Sequence, residues 1–341
     1  MNGFERIAAA LRGERPDSTP VMLHNFMMAA REAGVTMRQY RRSPEAIAAT
    51  FRRAVETYGY DGIVVDVDTA TLAGAVGVPV DFPEDAPASC HRGRLETLDA
   101  AADLPAPDVG RYEGVQAWLE AVTLLRRHFG DEVYIRGNCD QDPFSLAAMM
   151  RSTSEFMMDI MDPAREEAAH RLIEYSTLAT TQFVGLMAGR GAHMVSNGDS
   201  TAGPDMMSPA LYRRFALPYE RRVAEYAHGL GLPYVLHICG KTDRILEDMA
   251  ASGADGLELD YKTDVRLARD TLAGRGVVFL GNIDPNVVLA LGTPELVAEK
   301  TRELMGVFEG NARFILNAGC AIPASTPAEN LRALMRAARE V

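Results

Sequence analysis

The chain has 341 residues, of which 47% are hydrophobic and 24% charged, and its net charge is −12. This is the composition of a globular protein with a sizeable core, and the negative charge argues against a nucleic-acid surface, because phosphate binding needs clustered positive charge. Four cysteines in this length do not indicate a disulfide framework. The opening segment MNGFERIAAALRGERPD predicts an amphipathic helix without the apolar stretch of a signal peptide. No apolar run approaches the ~20 residues of a membrane span, so we expect a cytoplasmic protein that does not enter the membrane.

Eight short apolar runs follow one another along the chain, with helical patterns between them. Each run is continuously apolar rather than alternating, which is typical of parallel strands covered on both faces. Eight such strands alternating with helices predict an α/β fold, a single (β/α)8 TIM barrel over residues 1–341; a doubly wound open sheet is the alternative. The predicted strands are 20–25, 62–68, 132–138, 193–199, 234–239, 256–260, 277–282 and 313–317.

Two segments between the strands carry further predictions. The proline-rich stretches DFPEDAP and LPAPDVG bracket an excursion after the second strand, at about residues 79–110, which would form a lid or an interaction surface. The segment PALYRRFALPYERRVAEYAHGLG predicts a helix that begins after Ser208 as its N-cap and ends at Gly229 or Gly231.

Most of the predicted strands end in polar or metal-ligating residues. The active sites of barrels lie at the carboxyl ends of the strands, so a closed barrel would gather these side chains at one mouth. For Asp68 and Asp199, capping a helix or bracing a loop is an equally good interpretation. The strand-end residues that we predict to bind substrate are Asp68, Asn197, Asp199 and Asn282.

His237 and Cys239, in YVLHICG, end the fifth strand, and Cys320, in FILNAGC, follows the eighth. Residues i and i+2 of a strand point to the same side, so this imidazole and the first thiol are placed to share one metal ion. Three nitrogen and sulfur ligands suit Zn²⁺ and leave its fourth position open for a substrate, as in catalytic zinc sites. We interpret Cys90 and Cys139, in contrast, as small buried hydrophobic residues.

A fourth ligand is not evident beside these three in the sequence. Asp260 ends the strand after His237 and Cys239, and we predict it as a fourth ligand that gives way when substrate binds. Glu258 points to the same side but lies deeper, and it is the second choice.

Several longer segments resemble the uroporphyrinogen decarboxylase superfamily. They are RIAAALRGERPDSTPV, GDSTAGPDMMSPALYRRFALPYERRV, LHICGKTDRILEDMAASGADGLELD, FLGNIDPNVVLALGTPELV and ILNAGCAIPASTPAENLRAL. The resemblance covers nearly the whole chain and implies a (β/α)8 barrel. Within the superfamily, an H-x-C with a distant cysteine is similar to the zinc-dependent branch of cobamide methyltransferases. In that branch the positions of His237, Cys239 and Cys320 hold zinc, and the zinc activates an acceptor thiol.

The chain departs from the decarboxylases at two places. After the first strand they carry an R-Q-A-G-R-like motif that holds the carboxylates of the tetrapyrrole, whereas this chain reads HNFMMAAREAG and keeps only Arg31. Where the decarboxylases have a histidine-containing GHG pattern, this chain has Cys320. An acidic chain without the arginine pair is poorly suited to a substrate with eight carboxylates.

The resemblance therefore implies methyl transfer between a corrinoid (methylcobamide) and a thiol activated by Zn²⁺. A corrinoid-binding protein is the implied partner, because the chain has no D-x-H-x-x-G motif for cobalamin. One alternative is a demethylase that moves a methyl group from a small methylated substrate onto Co(I) corrinoid. The others are a lyase like uroporphyrinogen decarboxylase and a non-catalytic protein that binds corrinoid or zinc.

Overall fold

Eight parallel strands, each paired with the next in sequence order, form the sheet of the computed structural model, which describes residues 1–340. A parallel bridge between Val21 and Leu316 and a hydrogen bond from Leu316 N to the Pro20 carbonyl (2.9 Å) join the first strand to the last. The sheet therefore closes, which confirms the predicted (β/α)8 barrel. The strands are β1 (Met22–Leu23), β2 (Gly62–Val65), β3 (Tyr134–Gln141), β4 (Met194–Gly198), β5 (Tyr234–Ile238), β6 (Gly256–Leu259), β7 (Val278–Ile283) and β8 (Phe314–Ala318).

Each strand lies within or overlaps the apolar run that predicted it, and the main difference is in β3. This strand continues to Gln141, and its register with β4 shifts between Asn138 and Gln141. Asp140, inside the shifted stretch, has a φ of 61°, in the left-handed region. A bulge of this kind turns neighbouring side chains to new directions, and bulges are common beside active sites.

The helices alternate with the strands and surround the barrel. They are α1 (Gly3–Arg12), α2 (Phe26–Glu32), α3 (Met37–Arg42), α4 (Pro44–Tyr58), α5 (Thr71–Ala75), α6 (Glu113–Phe129), α7 (Pro143–Arg151), α8 (Thr153–Asp159), α9 (Glu166–Ala188), α10 (Pro209–Phe215), α11 (Leu217–Gly229), α12 (Leu246–Ala250), α13 (Val265–Leu272), α14 (Pro294–Val307) and α15 (Ala328–Arg339). In the described part of the chain, every helix is too short or too polar to cross a membrane.

The single helix predicted after Ser208 is two helices, α10 and α11. Ser208 caps α10 as predicted, since its hydroxyl accepts from the Leu211 amide (3.3 Å). The interruption at Ala216 has a local cause: Pro218 lacks the N–H that would continue the helical hydrogen bonds through this turn. The second helix ends at Gly229, one of the two predicted ends.

Helix α1 closes the amino-terminal end of the barrel. Its side chain Ile7 is fully buried and packs against apolar residues that begin the strands, among them Met22, Val64 and Val235. Asn2 caps the helix, and Phe4 N donates to the Glu132 carbonyl (3.1 Å). Since this end is filled by apolar side chains, the mouth at the carboxyl ends of the strands is left for a polar site.

The chain between α5 and α6 contains both proline-rich stretches and the predicted excursion. Its only regular features are short 3-10 turns at Leu98–Asp103 and Val109–Arg111 and an antiparallel bridge between Asp81 and Ser89. Arg41 of α3 holds the excursion through the carbonyls of Pro83 (2.8 Å) and Ala86 (2.5 Å). The excursion is thereby held beside the mouth of the barrel.

Candidate metal and substrate site

The imidazole of His237 and the thiols of Cys239 and Cys320 meet at the mouth of the barrel. His237 Nε2 lies 3.1 Å from Cys239 Sγ, and the two Sγ atoms are 3.9 Å apart. All three donor atoms lie within 4.8 Å of one another. Two sulfurs bound tetrahedrally to zinc at about 2.3 Å would be about 3.8 Å apart. The spacing of the sulfurs therefore fits a zinc ion.

Two glycines let the cysteine loops take this position. Gly240 follows Cys239 with a φ of 87°, and a Cβ there would lie 2.6 Å from Asp205 Oδ2. Gly319 precedes Cys320, and a Cβ there would overlap the backbone nitrogen of Tyr261. The H-I-C-G and A-G-C sequences thus need glycine for conformation and for close approach, in addition to their donor atoms.

The backbone of β6 sets the tautomer of His237. Its Nδ1 lies 2.9 Å from the Glu258 carbonyl oxygen, which only accepts hydrogen bonds, so Nδ1 carries the proton. In the neutral ring, Nε2 on the side of Cys239 then keeps the lone pair that a metal ion would accept. A hydrogen bond at the other ring nitrogen is the usual way in which proteins orient a histidine that binds metal. On the opposite side, Ser200 Oγ donates to Cys239 Sγ over 3.1 Å.

Charge at this cluster is concentrated on Cys239. The hydrogen bond from Cys320, helped by attraction from His237, lowers the pKa of Cys239 to about 3. The same hydrogen bond, together with burial, raises the pKa of Cys320 well above its usual range. Burial opposes protonation of His237, but the neighbouring thiolate raises the pKa of His237 to about 10. A divalent cation would displace these protons and satisfy all three donors.

The predicted fourth ligand, Asp260, is directed elsewhere. Its Oδ2 accepts from Gly240 N (2.8 Å) and its Oδ1 from Lys262 N (2.9 Å), so both carboxylate oxygens hold backbone amides. The carboxylate is not among the donors that meet at the site. The carboxylate of the second choice, Glu258, pairs with Arg136 and lies 3.6 Å from His24 Nδ1. We therefore correct the assignment: Asp260 braces the turn after Cys239 instead of supplying a ligand.

A cavity of about 190 Å³ opens beside the three donors. Most of its wall is built from residues at the carboxyl ends of β1 to β4 and from Glu258 of β6, and Pro87 of the excursion contributes as well. Its polar and charged lining consists of His24, Arg41, Asp66, Asp68, Thr69, Arg136, Asn138, Asp140, Gln141, Asn197, Ser200, His237 and Glu258, with both cysteines.

The four residues predicted to bind substrate divide into two pairs. Asp68 and Asn197 line the cavity. Asp199 does not: it is fully buried, and its Oδ1 accepts from Ser145 N (2.7 Å) at the start of α7. Asn282 also turns away, donating to the Asp260 carbonyl (3.1 Å). For these last two residues the prediction is corrected to a structural role.

Asp199 is part of a second buried carboxylate cluster, with Asp142 and Glu220. The phenol of Tyr234 donates to Asp142 (2.9 Å), and that of Tyr212 donates to Glu220. Burial raises the pKa of all three acids, that of Asp199 to about 6. The predicted alternative of loop bracing therefore describes Asp199.

Sequence reasoning missed Arg136, which lies in the middle of β3 and is only 2% exposed. It pairs with the Glu258 carboxylate, and its Nε donates to Ser196 Oγ (2.8 Å). The available signal was a single charge inside the apolar run VYIRGN, since a buried charge requires a partner. His24 completes this network with Asp66, at 2.6 Å.

Comparison with known proteins identifies the family of this barrel. The uroporphyrinogen decarboxylase (URO-D) family matches residues 2–341. The chain therefore belongs to that family.

Relatives within the family include methyltransferases. The chain is 27% identical to methylcobamide:CoM methyltransferase MtaA of Methanosarcina barkeri, over 98% of this chain and 97% of that protein. It is 30% identical to MtbA of Methanosarcina acetivorans, over 65% of this chain and 62% of that protein. A solved methyltransferase from Methanosarcina mazei superposes with a TM-score of 0.90 at 25% identity and covers 100% of this chain and 99% of its own. Uroporphyrinogen decarboxylases are also similar, at 27% to 29% identity.

Proposed function

We propose that this protein is a zinc-dependent methyltransferase that moves a methyl group between a corrinoid and a small thiol. The observation that carries the proposal is the convergence of His237 Nε2, Cys239 Sγ and Cys320 Sγ within 4.8 Å beside a small cavity. The similarity to methylcobamide:CoM methyltransferases supports the same chemistry.

The three side chains would hold zinc and leave one coordination position open toward the cavity. Zinc bound there would act as a Lewis acid and lower the pKa of a thiol bound at the open position. The Glu258 carbonyl fixes the His237 ring, and Asp260 fixes the turn after Cys239, so the donors are held before substrate arrives.

The transfer itself is a displacement at carbon. The thiol proton leaves to solvent, and the thiolate sulfur forms a bond to the methyl carbon of methyl–Co(III) corrinoid. The Co–C bond breaks as the S–C bond forms, and its electron pair remains on cobalt, which becomes Co(I). The walls of the cavity orient the thiol and limit access of water.

The corrinoid would approach from outside the barrel. A cavity of about 190 Å³ is smaller than ordinary pockets for drug-sized ligands, which span roughly 300–1,000 Å³, and a corrinoid ring is larger still. A separate corrinoid-binding protein, in the cytoplasm, would present the methyl group at the mouth. Pro87 of the excursion lies at the cavity and would face this partner.

The test combines metal content with turnover. Purified protein should contain one zinc per chain and demethylate methylcobalamin in the presence of a small thiol. Cys239→Ala and Cys320→Ala should each lose zinc and activity, while Cys90→Ala, which removes a thiol outside the donor set, should keep both. Full zinc retention in both site variants, or a zinc-loaded protein that methylates no thiol, would contradict the proposal.

The decarboxylase alternative conflicts with the charge of the cavity. Arg31, the one arginine retained after the first strand, donates to the Ala324 carbonyl (3.0 Å) and is absent from the cavity lining. Four carboxylates line the same space. A substrate with eight carboxylates would meet like charge there, so we expect no conversion of uroporphyrinogen to coproporphyrinogen at enzymatic rates.

A further inference from the structure

The wall of the cavity is rich in hydrogen-bond acceptors. Asn197 presents its buried Oδ1, which has no hydrogen-bond partner among residues 1–340. The Nδ2 of the same side chain donates to the carbonyls of Cys139 (2.7 Å) and Gln141 (3.3 Å), so the orientation of the amide is fixed. Two arginines line the cavity against four carboxylates, those of Asp66, Asp68, Asp140 and Glu258.

Both arginines of the wall already have partners. Arg136 pairs with Glu258 and donates to Ser196 Oγ (2.8 Å). Arg41 donates to two backbone carbonyls of the excursion, and its Nε lies 3.5 Å from Asp68 Oδ2. Each positive charge is thus balanced by a carboxylate within the protein.

Within the described chain, His24 is the one other basic side chain of the wall, apart from the metal donor His237. It lies between two acids. Its Nε2 is 2.6 Å from Asp66 Oδ2, and its Nδ1 is 3.6 Å from Glu258 Oε1. Asp140 has only amide donors, from Leu72 N (2.7 Å) and Gln141 Nε2 (3.0 Å). A negative group in this cavity would lose its hydration without gaining an unpaired cation from the described residues.

We propose that the small molecule reacting at this site carries N–H or O–H donors and no negative charge, and that an aminothiol fits best. The inference rests on the proposed methyltransferase function and adds the class of its substrate. A positive ammonium group would face the carboxylates, and its N–H groups would reach acceptors such as Asn197 Oδ1. The relatives are named for CoM, a thiol that carries a sulfonate, so the inference predicts a different preference here.

Three thiols that share the HS–CH2–CH2– unit test the inference. They are 2-aminoethanethiol, 2-sulfanylethanol and 2-sulfanylethanesulfonate, whose distal groups are positive, neutral and negative. Affinity for the zinc-loaded protein is measured by calorimetry, and kcat/KM with methylcobalamin is corrected for the thiolate fraction of each compound. We expect the aminothiol to exceed the sulfonate by about tenfold or more in both measurements, with the alcohol between them.

The outcomes separate this inference from the proposed function. Equal or better binding and turnover of the sulfonate would overturn the inference and leave the methyltransferase proposal standing. If no thiol binds or is methylated, both fail together.

A variant tests the electrostatic cause. Asp68→Asn keeps the shape of the side chain but removes the charge that faces Arg41, so the preference for the aminothiol over the sulfonate should shrink. Glu14→Gln, which neutralises an exposed carboxylate near the closed end of the barrel, should leave the preference unchanged. An unchanged ratio in folded Asp68→Asn would contradict the electrostatic reasoning. If this variant does not fold, the three thiols still decide with the unaltered protein.

Discussion

Replacing Glu258 by glutamine should strongly destabilise the barrel. The side chain is 1% exposed and pairs with Arg136, which is 2% exposed. In Glu258→Gln, the guanidinium of Arg136 would have only the neutral amide oxygen of the new glutamine and Ser196 Oγ as acceptors. Leaving one partner of a buried ion pair uncompensated costs about 3–5 kcal/mol, and we expect the free energy of unfolding to fall by about that amount. Equilibrium unfolding in urea measures the change.

A double-mutant cycle with Arg136→Met shows whether the loss arises from the pair. The double variant removes both charges, so it should be clearly more stable than the sum of the two single losses predicts. His24 also approaches Glu258, at 3.6 Å, and its smaller contribution remains in the cycle. Two results would refute this reasoning: Glu258→Gln could lower the free energy of unfolding by less than about 1 kcal/mol, or the two single losses could be strictly additive. Either result would mean that breaking the pair does not leave an uncompensated buried charge.

Three further predictions follow from single contacts. Asp260→Ala should weaken zinc affinity by about ten- to a hundredfold without changing the ligands, which competition with a chelator and the spectrum of the cobalt-substituted protein together check. Burial lowers the pKa of His193 to about 4 from 6.5, so the neutral form is favoured on folding. The contribution of neutral His193 to stability is complete above pH 6.5 and is lost as the pH falls toward 4. His193→Asn should therefore make the free energy of unfolding less dependent on pH between these two values. Ile7→Ala should lower the free energy of unfolding by about 2–5 kcal/mol, because the side chain is fully buried where α1 closes the barrel; a loss below about 1 kcal/mol would show that this packing contributes little.

The barrel and its donor set follow directly from the sequence. Parallel strands covered on both faces are continuously apolar, so all eight are visible as runs, and the mouth is known once the strands are ordered. His237 in β5 and Cys239 directly after it lie on one side of the strand by simple alternation. Cys320 needed one additional assumption, that the sheet closes and brings β8 to the same mouth.

The errors occurred where a side chain had a choice of backbone partners. Asp260 and Asp199 both follow strands, and each carboxylate accepts from amides of a neighbouring turn or helix start. The sequence shows that such residues reach the mouth but does not show which amides lie nearby. Arg136 was missed for a related reason, because its partner Glu258 is distant in sequence and the pairing depends on how the strands are registered.

The three candidate metal donors and the rest of the cavity wall come mostly from different strands of this barrel. The donors come from the end of β5 and the loop after β8, while the other lining residues come mainly from the carboxyl ends of β1 to β4. A substitution in the wall, such as one at Asp68 or Asn197, leaves the distances between His237, Cys239 and Cys320 unchanged to first order. Under the proposed function, substitutions in the wall would therefore change which thiol is accepted without moving the three donor atoms. The same arrangement is what allows the proposed methyltransferase to combine these donors with a cavity whose charge, as we infer, disfavours an anionic thiol.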